Sequence, residues 1–270
     1  MYRRMEKKSL LKFLSSRFQT FHLEKQENGS PRFGHGLPAH PILYTTINAN
    51  REMYASTLRD LLHISDSIQQ IKDEKDEIDN TQPVWNSRFV KGLDIVALYG
   101  FISKYKPSKY VEIAGGNYTK VARKAILDSK LSTKITTIDF SRNDQIQSAI
   151  NDLHENDILF IDNSESNFSN SNATICFLEI LPYLKKGVLV HFSSIYLPSD
   201  YPQSMSNRYC SEQSLLGTLL MANPKRYKTI LPNYFISEDK ELSAIIAPMW
   251  SHENTKNVEG NGVSFWVQIG

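Results

Sequence analysis

Four short apolar runs set the fold class of this chain: Tyr110-Val111-Glu112-Ile113, Ile135-Thr136-Thr137-Ile138-Asp139, Asp157-Ile158-Leu159-Phe160-Ile161-Asp162 and Val188-Leu189-Val190-His191. Each has the length of a strand, and stretches with helical character lie between them. Strands that are apolar on both faces and joined through helices build a parallel sheet covered on both sides. Helices are expected over residues 93–103 ahead of Pro107, 119–129, 143–154 and 211–222. A further one holds Phe177, Leu178, Ile180 and Leu181 and stops at Lys185-Lys186-Gly187, a good C-terminal signal. Residues 227–236 and 263–269 read as two last strands able to pair antiparallel.

The chain ahead of the sheet reads differently. Residues 1–25 are basic, with Leu10, Leu11, Leu14 and Phe18 able to share one helix face. Such a helix packs at a domain edge or lies on a membrane surface or a partner. Residues 26–41 hold Gly29, Pro31, Gly34, Gly36, Pro38 and Pro41, which marks a linker or an ordered loop. Residues 48–78 read as helix through Met53, Leu58, Leu61, Leu62 and Ile64, with a solvated charged end. The chain therefore divides into a helical extension, 1–80, and a sheet domain, 81–270.

Composition narrows the function. A formal charge of +2 argues against a general nucleic-acid binder, which carries a strong basic excess. Two cysteines, Cys176 and Cys210, supply neither a disulfide framework nor a zinc cluster, and fit a reducing compartment such as the cytoplasm. No apolar run approaches the ~20 residues of a membrane span, and the first residues lack a signal-peptide core.

Ligands of parallel sheets bind beyond the carboxyl ends of the strands, so the strand ends hold the candidates. After the first come Gly115, Gly116 and Asn117, where two glycines allow close backbone approach to a nucleotide-like ligand or simply make a turn. Asp139 can accept both hydroxyls of a ribose or cap a helix. Asp162, Glu165 and His191 can converge to hold a divalent metal or do acid–base work, or form a hydrogen-bonded polar rim.

With those residues in view, the chain resembles a bacterial class I S-adenosylmethionine (SAM)-dependent methyltransferase family that acts on small molecules, often sugars or natural products. The resemblance runs from about His40 to Gly270. Its carriers include Trp85-Asn86, Val111-Glu112-Ile113 with Gly116-Asn117, Ile138-Asp139, Leu159-Phe160-Ile161-Asp162, Gly187-Val188-Leu189-Val190-His191, Asp200-Tyr201-Pro202, Arg208-Tyr209, Glu212-Gln213 and Ser264-Phe265-Trp266. It implies a Rossmann-like α/β fold, mostly parallel with a C-terminal antiparallel pair and added N-terminal helices. It further implies SAM as cofactor, with Glu112, Gly115, Gly116 and Asn117 on the methionine side and Asp139 on the ribose. Asp162 and His191 would face the reacting centre, and Tyr201, Arg208 and Glu212 would line the cleft for a small-molecule substrate.

The chain departs from that family at the chemistry. Ala114 and Gly115 stand where the family's loop has Gly-Ser, Phe140-Ser141-Arg142 replaces a Pro-x-Pro-Arg turn, and Glu165 replaces a His. His191-Phe192-Ser193-Ser194 stands for His-x-His-Asp. Spacing adds a departure of its own. Only the 17 residues 140–156 separate Asp139 from Asp157. Two crossovers of at least ~10–12 residues each and a strand of about five do not fit there. One edge strand of the family's sheet is therefore expected to be missing. Three readings stand at this point. The chain is a working O- or N-methyltransferase. It is a methyltransferase-fold protein with transfer lost or altered, serving as a scaffold, a partner or a new enzyme. Or it is an interaction module that uses the basic N-terminal helix; a homo-oligomer or a protein partner is open in each case.

Overall fold

The computed structural model describes residues 30–270 except 88–89, 114–115, 163–171 and 209, and gives no side-chain description at 143 and 206–208. The basic stretch 1–25 therefore lies outside the described residues, as do Gly115 and Glu165.

A six-stranded sheet organises the chain. Its strands are β3 (Lys109–Ile113), β4 (Lys134–Ile138), β5 (Ile158–Ile161), β6 (Leu189–Phe192), β7 (Tyr227–Pro232) and β8 (Phe265–Ile269), in the order β4-β3-β5-β6-β8-β7. The first four are parallel, and β8 runs antiparallel between β6 and β7. A separate two-stranded ribbon pairs β1 (Lys72–Asp73) with β2 (Val84–Trp85). The order reverses between β3 and β5, because the chain leaves β3 towards one edge and returns through β5 towards the other. This is a Rossmann-like α/β arrangement: a mostly parallel sheet with an antiparallel pair at one side.

The helices follow from their apolar spacing. Helix α4 (Gly92–Tyr105) is buried along most of its length and ends where Lys106 turns left-handed ahead of Pro107. Helix α5 (Asn117–Asp128) buries Val121, Ala122, Ala125 and Ile126 on one stripe. Helix α6 (Asn143–Asn151) buries Ile146 and Ile150, one turn apart. It is the sole regular element between Asp139 and Asp157, with no strand among those residues, as the spacing requires. Upstream, the expected single helix over 48–78 is two helices, α2 (Arg51–Leu62) and α3 (Ser65–Ile68), and then the short strand β1, while a further helix, α1 (Pro41–Asn48), precedes them. Short breaks at Ala49–Asn50 and His63–Ile64 let the chain turn onto the sheet. Tyr54 and Leu58 of α2 are fully buried there, and Asn50 donates to Thr229 O of β7 at 3.3 Å. Residues Pro31–Gly270 cohere as one unit.

Two further elements differ from the sequence reading. The stretch with Phe177 and Ile180 is a π-helical turn, Ile175–Ile180, followed by a 3-10 turn, Leu181–Tyr183. Gly187, at φ +86°, then reverses the chain into β6. The expected strand 227–236 stops at Pro232 and becomes α8 (Asn233–Glu238), followed by α9 (Lys240–Ile246), which the Asp239 carboxylate caps. Helix α7 (Glu212–Ala222) lies where the sequence puts it.

Candidate functional site

Register fixes which side chains share a face. Thr137, Glu112, Phe160, His191, Trp266 and Leu231 form one row across the six strands. That row passes from solvent into the core. Thr137 is exposed, Glu112 is buried beneath the start of α5, and His191 is enclosed.

The His191 ring stacks on Trp266 with centroids 4.1 Å apart and planes 3° apart. Phe160 lies at 4.8 Å and Tyr118 stands edge-on at 5.0 Å. Neither ring nitrogen has a hydrogen-bond partner among the described residues. Burial alone holds the imidazole well below its usual pKa, so it is neutral. A ring with no exposed surface, walled by three aromatics, does not reach the crevice beyond the strand ends.

The crevice has other occupants. Glu112 accepts from Gly116 N–H at 3.0 Å and from the Thr119 hydroxyl. Burial raises its pKa and those two bonds oppose the rise, while the nearby Asp162 charge adds to it. The carboxylate thus ties the loop after β3 to the first turn of α5. A Cβ added at Gly116 would meet no atom of the described residues beyond its chain neighbours within 4 Å, so among those residues the space over the backbone is open there. Asn117 begins α5 and is exposed. Asp139 is exposed at the end of β4. Its Oδ1 accepts from Ser141 N–H at 2.8 Å, and the Ser141 bonds hold its pKa low and the group ionised. Asp162 is partly buried at the end of β5 and accepts from the Ser193 hydroxyl at 2.8 Å. The next residue, Ser194, is left-handed at φ +56°.

Tyr201 and Glu212 do come together. The Tyr201 hydroxyl donates to Glu212 Oε2 at 3.4 Å, and burial pushes that phenol far up. Around them stands an aromatic group. Tyr196 lies 5.7 Å from Tyr201 and 5.0 Å from Tyr234, and His35 lies 6.0 Å from Tyr234. Of Arg208 the backbone alone is described, at the end of the 3-10 turn Gln203–Arg208. Asp200 holds the loop that carries His35. Its carboxylate accepts from Arg32 N–H at 2.7 Å, and its N–H donates to Phe33 O at 3.0 Å.

Sequence reasoning missed Asp94, a fully buried carboxylate in the first turn of α4. Its Oδ1 accepts from the Ser264 N–H at 2.9 Å, the Ser264 hydroxyl at 2.8 Å and the Asn233 amide at 2.8 Å. Val263 N–H donates to it at 3.0 Å. Burial raises its pKa against the pull of those bonds. The one hint in the sequence is an acid alone in an otherwise apolar helix, which cannot be buried without donors. Asp94 locks the starts of α4, α8 and β8 together at the carboxyl edge of the sheet.

The metal reading of Asp162, Glu165 and His191 finds no support. Among the described residues no three His, Cys, Asp or Glu side chains cluster as ligands, and His191 lies inside its aromatic wall. Among the same residues no helix is long and apolar enough to cross a membrane.

No family model and no curated protein matches this chain. Among solved structures it is similar to a proposed O-methyltransferase from Klebsiella pneumoniae, at 12% identity over 87% of this chain and 92% of that one, with a TM-score of 0.26. It is also similar to an O-methyltransferase from Bacillus cereus in complex with S-adenosylhomocysteine (SAH), at 12% identity over 84% of this chain and 99% of that one, with a TM-score of 0.27. Superpositions that shallow carry no weight for fold or function, which rest on the residues of this chain.

Proposed function

We propose that this chain is a class I methyltransferase-type protein that binds an adenosyl ligand of the SAM kind in the crevice at the carboxyl ends of β3, β4 and β5, beside a cleft for a small molecule. The observation that carries the reading is the reversal of strand order between β3 and β5, with open space over Gly116 on one side and the ionised, exposed Asp139 beyond. Ligands of open parallel sheets bind at such a switch point. Asp139 would take the ribose hydroxyls, and Gly116 and Asn117 the methionine end. Glu112 would act through the loop that it ties to Thr119. Bound SAM would supply the methyl group.

Transfer in this cleft is altered relative to the family that the sequence resembles. His191 is a core residue in this reading, and among the described members of that candidate set Asp162 is the acid–base group at a strand end. Catalysis would rest mainly on positioning, with Tyr201 and Glu212 orienting the substrate. A second reading, a protein without methyl transfer, is favoured by the single crossover of residues 140–156, which among the described residues leaves no further strand beyond β4 to help enclose the adenine.

Titration calorimetry with SAM and SAH tests the first reading. A dissociation constant near the micromolar range, about −8 kcal/mol, supports it. No heat and no thermal stabilisation at ligand concentrations near 1 mM sinks it, because a ligand of the folded state must raise stability by mass action.

A further inference from the structure

Among the described residues the sheet ends at β4, and the edge of that strand is built to be covered. Lys134 N–H donates to Ser108 O at 2.9 Å. Lys134, Thr136 and Ile138 therefore turn their backbone groups towards β3, while Ile135 and Thr137 turn theirs outward. Among the described residues β4 pairs with β3 alone, so those outward groups have no strand beside them. Edge strands are commonly protected by proline, bulges or inward charge. Here Ile135, Thr136, Thr137 and Ile138 are all β-branched, the register with β3 is regular, and one charge, Lys134, stands at the start.

Beside this edge a groove of about 460 Å³ lies between α6 and the β3–β4 face, lined among others by Lys109, Val111, Lys134, Thr136, Asp144 and Ser148. Helix α6 starts near the Ile138 end of β4 and returns to the other end, where Asp152 pairs with Lys109 at 2.7 Å. The groove is thus basic at one end through Lys134 and acidic at the other through Asp144. Both side chains are exposed and neither makes an ion pair among the described residues. An edge with opposite charges at its two ends is complementary to itself turned around.

We propose that a second copy of this chain docks on the edge, the two β4 strands pairing antiparallel about a two-fold axis at Thr136. In that register Ile135 faces the partner's Thr137, and the outward N–H and C=O groups of both exchange hydrogen bonds. Thr136 faces its own counterpart in a non-hydrogen-bonded pair. The reversal lays Lys134 against the partner's Asp144, twice per dimer. Side-chain alternation excludes shifts of one residue. A shift of two either sets Ile135 against the partner's Asp139 or draws Lys134 away from the partner's Asp144. This inference does not depend on the adenosyl reading.

Sedimentation velocity on the full chain should give twice the 30.9 kDa of one copy. Lys134→Glu alone and Asp144→Lys alone should each weaken the dimer about tenfold, since each sets like charges together at two contacts. The double variant should bring affinity back. Thr136→Cys should form an inter-chain disulfide on mild oxidation, because a non-hydrogen-bonded antiparallel pair has its Cα atoms about 4.5 Å apart, within bridging range. All four variants should melt near the wild-type monomer's temperature. A monomer at about 100 μM, a dimer indifferent to both charge reversals, or a Thr136→Cys protein that stays unlinked would each overturn the proposal.

Discussion

The two flanks of the sheet are built from different physics. On the β6–β8–β7 side, Trp266, Phe101, His191 and Phe160 pack ring on ring, and a network around Asp94 closes the ends of three elements. On the β4 side, Thr137 and Asp139 are exposed, Ile135 is only partly covered, and one helix spans the step to β5. The same row of residues crosses both. Glu112 and His191 stand on one face with β5 between their strands, yet one ties the loop after β3 to the first turn of α5 and the other is core. A polar residue at a strand end marks a site only if the flank it stands on opens to solvent.

The largest expected effect lies on the closed flank. Asp94→Leu leaves the Ser264 N–H, the Ser264 hydroxyl and the Val263 N–H without their acceptor, while the Asn233 amide keeps Ser264 Oγ at 2.9 Å. Each lost partner costs about 1–3 kcal/mol, so chemical denaturation should show a loss of at least about 3 kcal/mol. Asp94→Asn, which keeps an acceptor oxygen, should lose clearly less. A Leu variant as stable as wild type would mean that the network does not hold the edge.

His191 gives a second contrast, with a sign set by linkage. Its folded pKa is depressed, so below the ordinary histidine value of about 6.5 the unfolded chain binds a proton that the folded chain refuses. The stability from this residue is present above that pH and falls as pH drops, by at most about 1.4 kcal/mol per unit. His191→Phe, which keeps the stacking and removes two unpartnered nitrogens, should fold at least as well at pH 5 and flatten this slope. Unfolding curves at pH 7, 6 and 5 read it directly. An unchanged slope would take His191 out of the core account.

The open flank should tolerate change. Asp139→Ala touches an exposed side chain with one local bond to Ser141, so stability should move by less than about 0.5 kcal/mol. SAH affinity should fall about tenfold or more, since hydrogen bonds to a charged group contribute about 1.5–3 kcal/mol.

Much of this division was legible in the sequence, and the rest was not for definite reasons. Continuous runs such as Ile158–Ile161 announce parallel strands because both faces are buried. The 17-residue step from Asp139 to Asp157 announced a single crossover because chain length is a hard limit. The end of β7 was overrun because Tyr234, Phe235 and Ile236 suit a strand as well as a helix, and tertiary packing decided. The break after Asn48 carries no proline or glycine to mark it. Asp94 was hidden by the apolar helix around it. His191 read as a site residue because a strand's period gives alternation but not which face meets the crevice. The pairing of His191 with Trp266 across β6 and β8 is long-range information.

The most direct measurement is a matched pair of SAH titrations, on Asp139→Ala and His191→Phe, beside the wild-type protein. The expected result is binding by wild type, the same affinity within about twofold for His191→Phe, and at least tenfold weaker binding for Asp139→Ala. The contradicting results are the reverse order, which would move the ligand away from the carboxyl ends of β3 and β4, or no binding by wild type, which would sink the adenosyl reading itself.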